Sequence, residues 1–148
     1  MKKQISRALL GLAATLALAV AANAQVLHRV LIRVPFDFVA GEKQMPAGRY
    51  TVQRIKSDAE SALIIRSEDG RSTAVILTNT GEPRPRNAAL VFRQYGDRHF
   101  LAEVSMPGTS SVRELPRTAA ERRLERELAE QKNVDVESKT VTVVGSVE

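Results

Sequence analysis

The chain of 148 residues contains no cysteine and no tryptophan, and aromatic residues make up only 4% of it. Without cysteine there is no disulfide, no thiolate nucleophile and no Cys-based zinc site, so stability has to come from packing and hydrogen bonds. Scarce aromatics count against a carbohydrate cleft, which presents stacked rings. They also count against a membrane β-barrel, which needs aromatic girdles and strands of about nine to eleven residues. The longest apolar run, near the N-terminus, covers about 15 residues, short of the roughly 20 that a spanning helix needs. Solenoid repeats and low-complexity tracts are absent.

An excess of one charge is also missing. The 22 Lys and Arg face 17 Asp and Glu, and three of the cations (Lys2, Lys3 and Arg7) lie in the first seven residues. Beyond them the net charge falls to +2, which gives no electrostatic reason to expect nucleic acid as a partner.

What is present begins with residues 1–24. Met1-Lys2-Lys3 and Arg7 are followed by an apolar run from Ala8 through Ala22, closing on Ala22-Asn23-Ala24 before Gln25. Positive start, apolar middle and small residues at the cleavage position make up a bacterial secretory signal. We therefore expect export to the periplasm or beyond, cleavage after Ala24 and a mature chain that is soluble. No cysteine follows the site, so a lipid anchor is not expected.

The rest reads as strands. Val30, Ile32, Val34, Phe36 and Phe38 share one phase with His28, while Arg29, Leu31, Arg33, Pro35 and Asp37 take the other. Such alternation marks a half-buried strand, and Pro35 marks an edge or a bend into two strands. Gly41 to Gly48 reads as a loop. Tyr50–Ile55, Ala62–Ser67, Ser72–Thr78, Ala88–Tyr95 and Arg98–Met106 are further strands. Asp69-Gly70 and Gly96-Asp97 supply hairpin turns, Ser57–Glu60 another turn, and Gly81–Asn87 a stiff two-proline loop. Ser111–Glu114 has capping-box spacing and reads as one helical turn before Pro116. Thr118–Glu121 repeats that spacing and opens a helix to about Lys132. Its narrow stripe of Ala120, Leu124 and Leu128 predicts a surface helix, with Arg–Glu pairs on the exposed side. Val134 to Val144 reads as a last strand that either joins the sheet or trails.

The expected architecture is mainly β, a small antiparallel sandwich or partly open barrel with one C-terminal surface helix. The expected division is a signal peptide (1–24), a β-domain (25–116), a charged helix (117–132) and a C-terminal strand or tail (133–148).

Phe36-Asp37-Phe38-Val39-Ala40-Gly41, followed by Met45-Pro46-Ala47-Gly48-Arg49-Tyr50-Thr51-Val52, resembles short secreted proteins of environmental bacteria with an F-x-F-x-x-G…P-A-G-x-Y-x-V pattern. Arg66–Gly70, Tyr95–Leu101 and Glu114-Leu115-Pro116 extend the resemblance over about Val34 to Glu130. It implies export and a β-domain, and no activity is assigned to that family.

No constellation for chemistry stands out. His28 and His99 are the two histidines, with Asp37 or Glu103 as conceivable co-ligands, but metal-site spacing is missing. Gly-x-Ser-x-Gly and P-loop spacing are absent, and Ser61, Ser67 and Ser72 fall at strand ends and turns. No cofactor is expected. The leading expectation is a non-enzymatic module binding a protein or a cell-envelope component. Its surface would include Arg84 and Arg86, with Arg93 and Arg98 near them in sequence, and Arg122, Arg123 and Arg126 on the helix. A barrel carrier of an apolar ligand is one alternative, and an enzyme using His28 or His99 another. Phe36, Phe38, Phe92 and Phe100 would fill the core of a binding module, whereas a carrier would leave a cavity there.

Overall fold

A computed structural model describes residues 30–55, 61–83, 87–109, 111–132 and 138–147. The signal-like segment, His28, Ser57–Glu60, Arg84 and Arg86 lie outside these residues.

Alternation in the first strand places it as expected. In β1 (Val30–Val34), Val30, Ile32 and Val34 are buried, while Arg33 is exposed. The strand stops at Pro35, which has no N–H to give a ladder. The chain bends there and re-enters as β2 (Phe38–Ala40) in a different sheet. The sequence expectation of two strands bent at Pro35 holds, and the bend is the corner at which the chain changes layers.

The first sheet also contains β4 (Gly48–Arg54), β5 (Ala62–Ser67) and β6 (Thr73–Leu77), with β12 (Ser146–Val147) as its other edge, in the order β12-β1-β4-β5-β6. All its pairings are antiparallel. The second sheet runs β11 (Lys139–Val144), β8 (Ala89–Tyr95), β9 (Arg98–Ser105), β10 (Ser111–Glu114) and β7 (Asn79–Pro83). β9 also pairs in parallel with β2, which forms a hairpin with β3 (Lys43–Met45). Neither sheet closes on itself, and the two share one core, so the fold is an open sandwich.

Several expectations are corrected here. Gly41–Gly48 contains the turn of the β2–β3 hairpin, with Gly41 at φ +61°, and strand β3 itself. Ser111–Glu114 is strand β10, because Arg113 and Glu114 find partners in both β7 and β9. Part of the two-proline loop is strand β7, with Pro83 near its end.

The core joins both sheets. Phe38, Tyr50, Leu63, Ile65, Leu90 and Phe92 are fully buried, and Phe38 makes edge-to-face contacts with Tyr50 and Phe92 at 5.2 and 5.3 Å. Phe36 is only partly buried, at the border of this cluster. Phe100 does not belong to it. A bulge opposite Val91 and Phe92 shifts the phase of β9, so Leu101 faces inward and Phe100 faces the other side of the sheet.

There Phe100 joins Val39 and Tyr95 beneath helix α1 (Ala119–Lys132), which rests on them through Leu124 and Leu128 as its stripe predicts. The stripe itself is displaced. Ala120 is exposed, and the buried position belongs to Glu121, 1% exposed. Glu121 therefore departs from the expectation of a helix that turns only an apolar stripe toward the sheet. Its carboxylate takes Arg93 Nε at 2.5 Å and Nη2 at 3.1 Å. The backbone half of the capping box forms, Glu121 N donating to Thr118 Oγ1 at 3.1 Å, but the Glu121 side chain goes to the sheet. Arg117 Nη1 donates to Glu125, at 2.8 and 2.9 Å.

The last strand joins the main fold. β11 pairs along β8, and two residues later β12 pairs with β1 in the other sheet. Gly145 joins them and donates its N–H to Ala88 O at 2.8 Å.

Candidate binding cleft at the β6 edge

Among the edge strands, β6 differs in composition. Thr73-Ala74-Val75-Ile76-Leu77 has no charge, proline or glycine. The opposite edge, β12, has two residues; β11 begins with Lys139; β7 holds Gly81, Glu82 and Pro83. Edges are commonly protected against further pairing by shortness, charge or proline. β6 has none of these, and Val75 and Leu77 are 62% and 70% exposed.

The ladder shows which backbone groups β6 leaves open. Ser67 N donates to Ser72 O at 2.8 Å, and Thr78 N donates to Ser61 O at 2.7 Å. In an antiparallel pair, hydrogen-bonded and open positions alternate. With Ser72 and Thr78 bonded to β5, so are Ala74 and Ile76, and Thr73, Val75 and Leu77 direct their N–H and C=O groups away from the sheet. Lys43 Nζ donates to Thr73 O at 2.7 Å, which occupies one of these groups.

This edge faces a cleft of about 570 Å3. All five residues of β6 line one wall. The other wall is the turn of the β2–β3 hairpin together with the entry to α1, including Leu115, Pro116 and Ala119. Gly41 brings the hairpin close, since a Cβ there would lie 3.5 Å from Ile76 Cγ2. The charged lining residues are Glu42, Lys43, Arg117 and Arg122, of which Arg117 is paired with Glu125.

The residues singled out in the sequence divide sharply. Arg122 lines the cleft, whereas Arg123 and Arg126 are exposed on the helix. Arg93 and Arg98 form no basic patch. Arg93 is held by Glu121, and the Arg98 guanidinium lies 5.3 Å over the Phe100 ring. His99 stacks on Phe36 at 3.9 Å between centroids. Its Nδ1 is buried without a partner, and burial holds the imidazole below its usual pKa against the opposing charge of Asp97. Asp37 accepts from Ala47 N at 2.7 Å. Among the described residues no three His, Asp or Glu side chains gather as metal ligands. Ser67 and Ser72 hold the hairpin turn, Ser72 N donating to Ser67 Oγ at 2.9 Å and Ser67 Oγ to Asp69 Oδ1 at 2.5 Å.

The β6 edge was missed in the sequence. Its signal was available, since Ser72–Thr78 is the one strand-like stretch without a charged residue. That it lies at an edge depends on topology.

The residues of the F-x-F-x-x-G…P-A-G-x-Y-x-V pattern build the corner behind this cleft. Tyr50 donates its phenol to Pro46 O, Phe38 packs edge-on to Tyr50, and Gly41 makes the hairpin turn. No protein-family model, curated protein or solved structure matches the chain.

Proposed function

We propose that the protein is an exported, non-enzymatic binding module that takes up an extended segment of a partner protein along β6. The observation that carries this reading is the outward-facing backbone of Thr73, Val75 and Leu77 on an uncharged edge within a cleft. Strand addition uses such an edge, with main-chain hydrogen bonds giving affinity and flanking pockets giving selectivity. The exposed side chains of Val75 and Leu77 supply apolar contact for the added strand. Lys43 and Arg122 favour a segment with an acidic flank. A flexible segment suits this edge better than a second copy of β6. Two-fold pairing would bring the same cations and the same cleft walls against each other. Filling of the shared core by Phe38, Tyr50, Phe92 and Leu63 supports a binding module over a carrier with an internal cavity. Export rests on the signal-like pattern of residues 1–24.

Val75→Pro tests the strand. Its N–H points away from β5, so proline removes an offered donor and leaves the internal ladder in place. Extended peptides selected on the folded protein should be rich in β-branched residues with Asp or Glu at one end, and should lose binding to Val75→Pro. Peptides that bind Val75→Pro equally well would place recognition elsewhere. Protein recovered from outside the cytoplasm should begin at Gln25, and an intact Met1 would overturn export by cleavage.

A further inference from the structure

The register of the five-stranded sheet gathers three arginines on its outer face. Arg33 on β1 stands directly opposite Arg49 on β4. Arg66 on β5 stands opposite Thr51, one step diagonal from Arg49. All three are exposed. Glu68 takes Arg49 Nε at 2.6 Å, and among the described residues Arg33 and Arg66 have no carboxylate partner. Like charges directly across a ladder destabilise it, so the fold itself gains nothing from the Arg33–Arg49 pair.

The two outer faces of the sandwich differ. The second sheet is covered by α1, whose exposed arginines are interspersed with Glu127 and Glu130. On the first sheet the arginines share their face with Glu68, with Thr51 and Gln53, with half-buried Leu31 and Ile64, and with Thr73, Val75 and Leu77 of β6. None of the three arginines lines the β6 cleft. The guanidinium fork matches phosphate oxygens bidentately. An open sheet face encloses no small ligand but can lie against an extended surface, with Leu31 and Ile64 as apolar contact beside the cations.

We propose that this face docks the protein on an anionic lipid bilayer, with Arg33, Arg49 and Arg66 holding phosphate-bearing headgroups. It is a second contact surface that adjoins the β6 edge, where Thr73 stands opposite Arg66 and Val75 opposite Ile64.

Vesicle co-sedimentation of the full chain tests it, with phosphatidylcholine alone and with about one-third phosphatidylglycerol. Using one chain throughout makes the apolar N-terminal run a constant background. Binding to the anionic vesicles should exceed binding to the neutral ones by at least about tenfold at low salt, and fall as salt rises. Arg33→Glu/Arg66→Glu should remove most of the excess binding to anionic vesicles, the remainder being the share of Lys2, Lys3 and Arg7, which is the same in every variant. This variant should fold, because a carboxylate placed across the ladder from Arg49 replaces a repulsion by an attraction, and its thermal midpoint should not fall. Arg123→Glu/Arg126→Glu, the same charge change on the helix, should leave binding within about twofold. Equal binding to both vesicle types would overturn the proposal, as would an equal loss in the helix variant. Binding to soluble polyphosphate with the same dependence on Arg33 and Arg66, but none to vesicles, would overturn bilayer docking and reassign the face to a soluble polyanion.

Discussion

Glu121, in the first turn of α1, is 1% exposed and receives both Nε and Nη2 of Arg93 on β8. This pair fastens the helix to the outer face of the second sheet, beside the apolar contacts of Leu124 and Leu128. Removing one partner leaves the other poorly solvated and unpaired. Glu121→Ala should therefore destabilise the domain by about 3 kcal/mol. Arg93→Met/Glu121→Leu should recover most of that loss, since an apolar pair of similar volume avoids desolvating charge. Urea unfolding of the three proteins checks this. A double variant no more stable than Glu121→Ala would show that the helix needs the charges themselves.

Gly145 has no room for a side chain. A Cβ there would collide with Ile32 Cγ1 and lie 2.9 Å from the Leu31 carbonyl oxygen, and Ile32 is itself buried. Gly145→Ala should cost about 1–3 kcal/mol, as overpacking does. Gly70, at φ +72° with nothing within 4 Å of its Cβ, offers the comparison. Gly70→Ala there meets backbone strain alone, about 1 kcal/mol. Denaturant midpoints of the two variants should rank in that order.

Phe36 and Phe38 share a sequence phase but not a depth. Phe38 is fully buried between Tyr50 and Phe92, while Phe36 is only partly buried. Phe38→Ala should cost about 3–5 kcal/mol, and Phe36→Ala distinctly less. Equal losses would mean that Phe36 is held by more than its rim contacts.

His99 should make stability depend on pH. Burial lowers its folded pKa, so the unfolded chain binds the proton more readily. Its contribution is intact above the unfolded pKa of about 6.5 and is lost as pH falls toward the folded value. The thermal midpoint should drop as pH falls below about 6.5, and His99→Gln should flatten that part of the curve. An unchanged slope in the variant would assign the drop to other groups.

Strand-by-strand burial was legible in the sequence because it depends on local alternation. Val30, Ile32 and Val34 point inward as their spacing requires, Gly70 takes the positive φ of its turn, and Leu124 and Leu128 carry the helix. What escaped depends on distant partners. Ser111–Glu114 has the local signature of a helix start, and the ladders of β7 and β9 override it. Phe100 changes face because of a bulge that alternation does not announce. Glu121 reads as a solvated helix charge until Arg93 is found beneath it, 28 residues away in sequence. The cleft is the extreme case, since an edge exists only once the order of strands is known.

The terminal pairings also set an order in time. β1 begins at Val30, and its neighbour on one side, β12, ends at Val147. The first described strand of the sandwich must wait for the last described one before its ladder on that side can form. Contacts that join such distant points form late, because a long loop has to close before they can stabilise anything. A chain clipped ahead of Lys139 loses both β11 and β12 and leaves β8 and β1 as bare edges. Addition of β11 and β12 thus marks the point after which β8 and β1 are no longer open to mispairing.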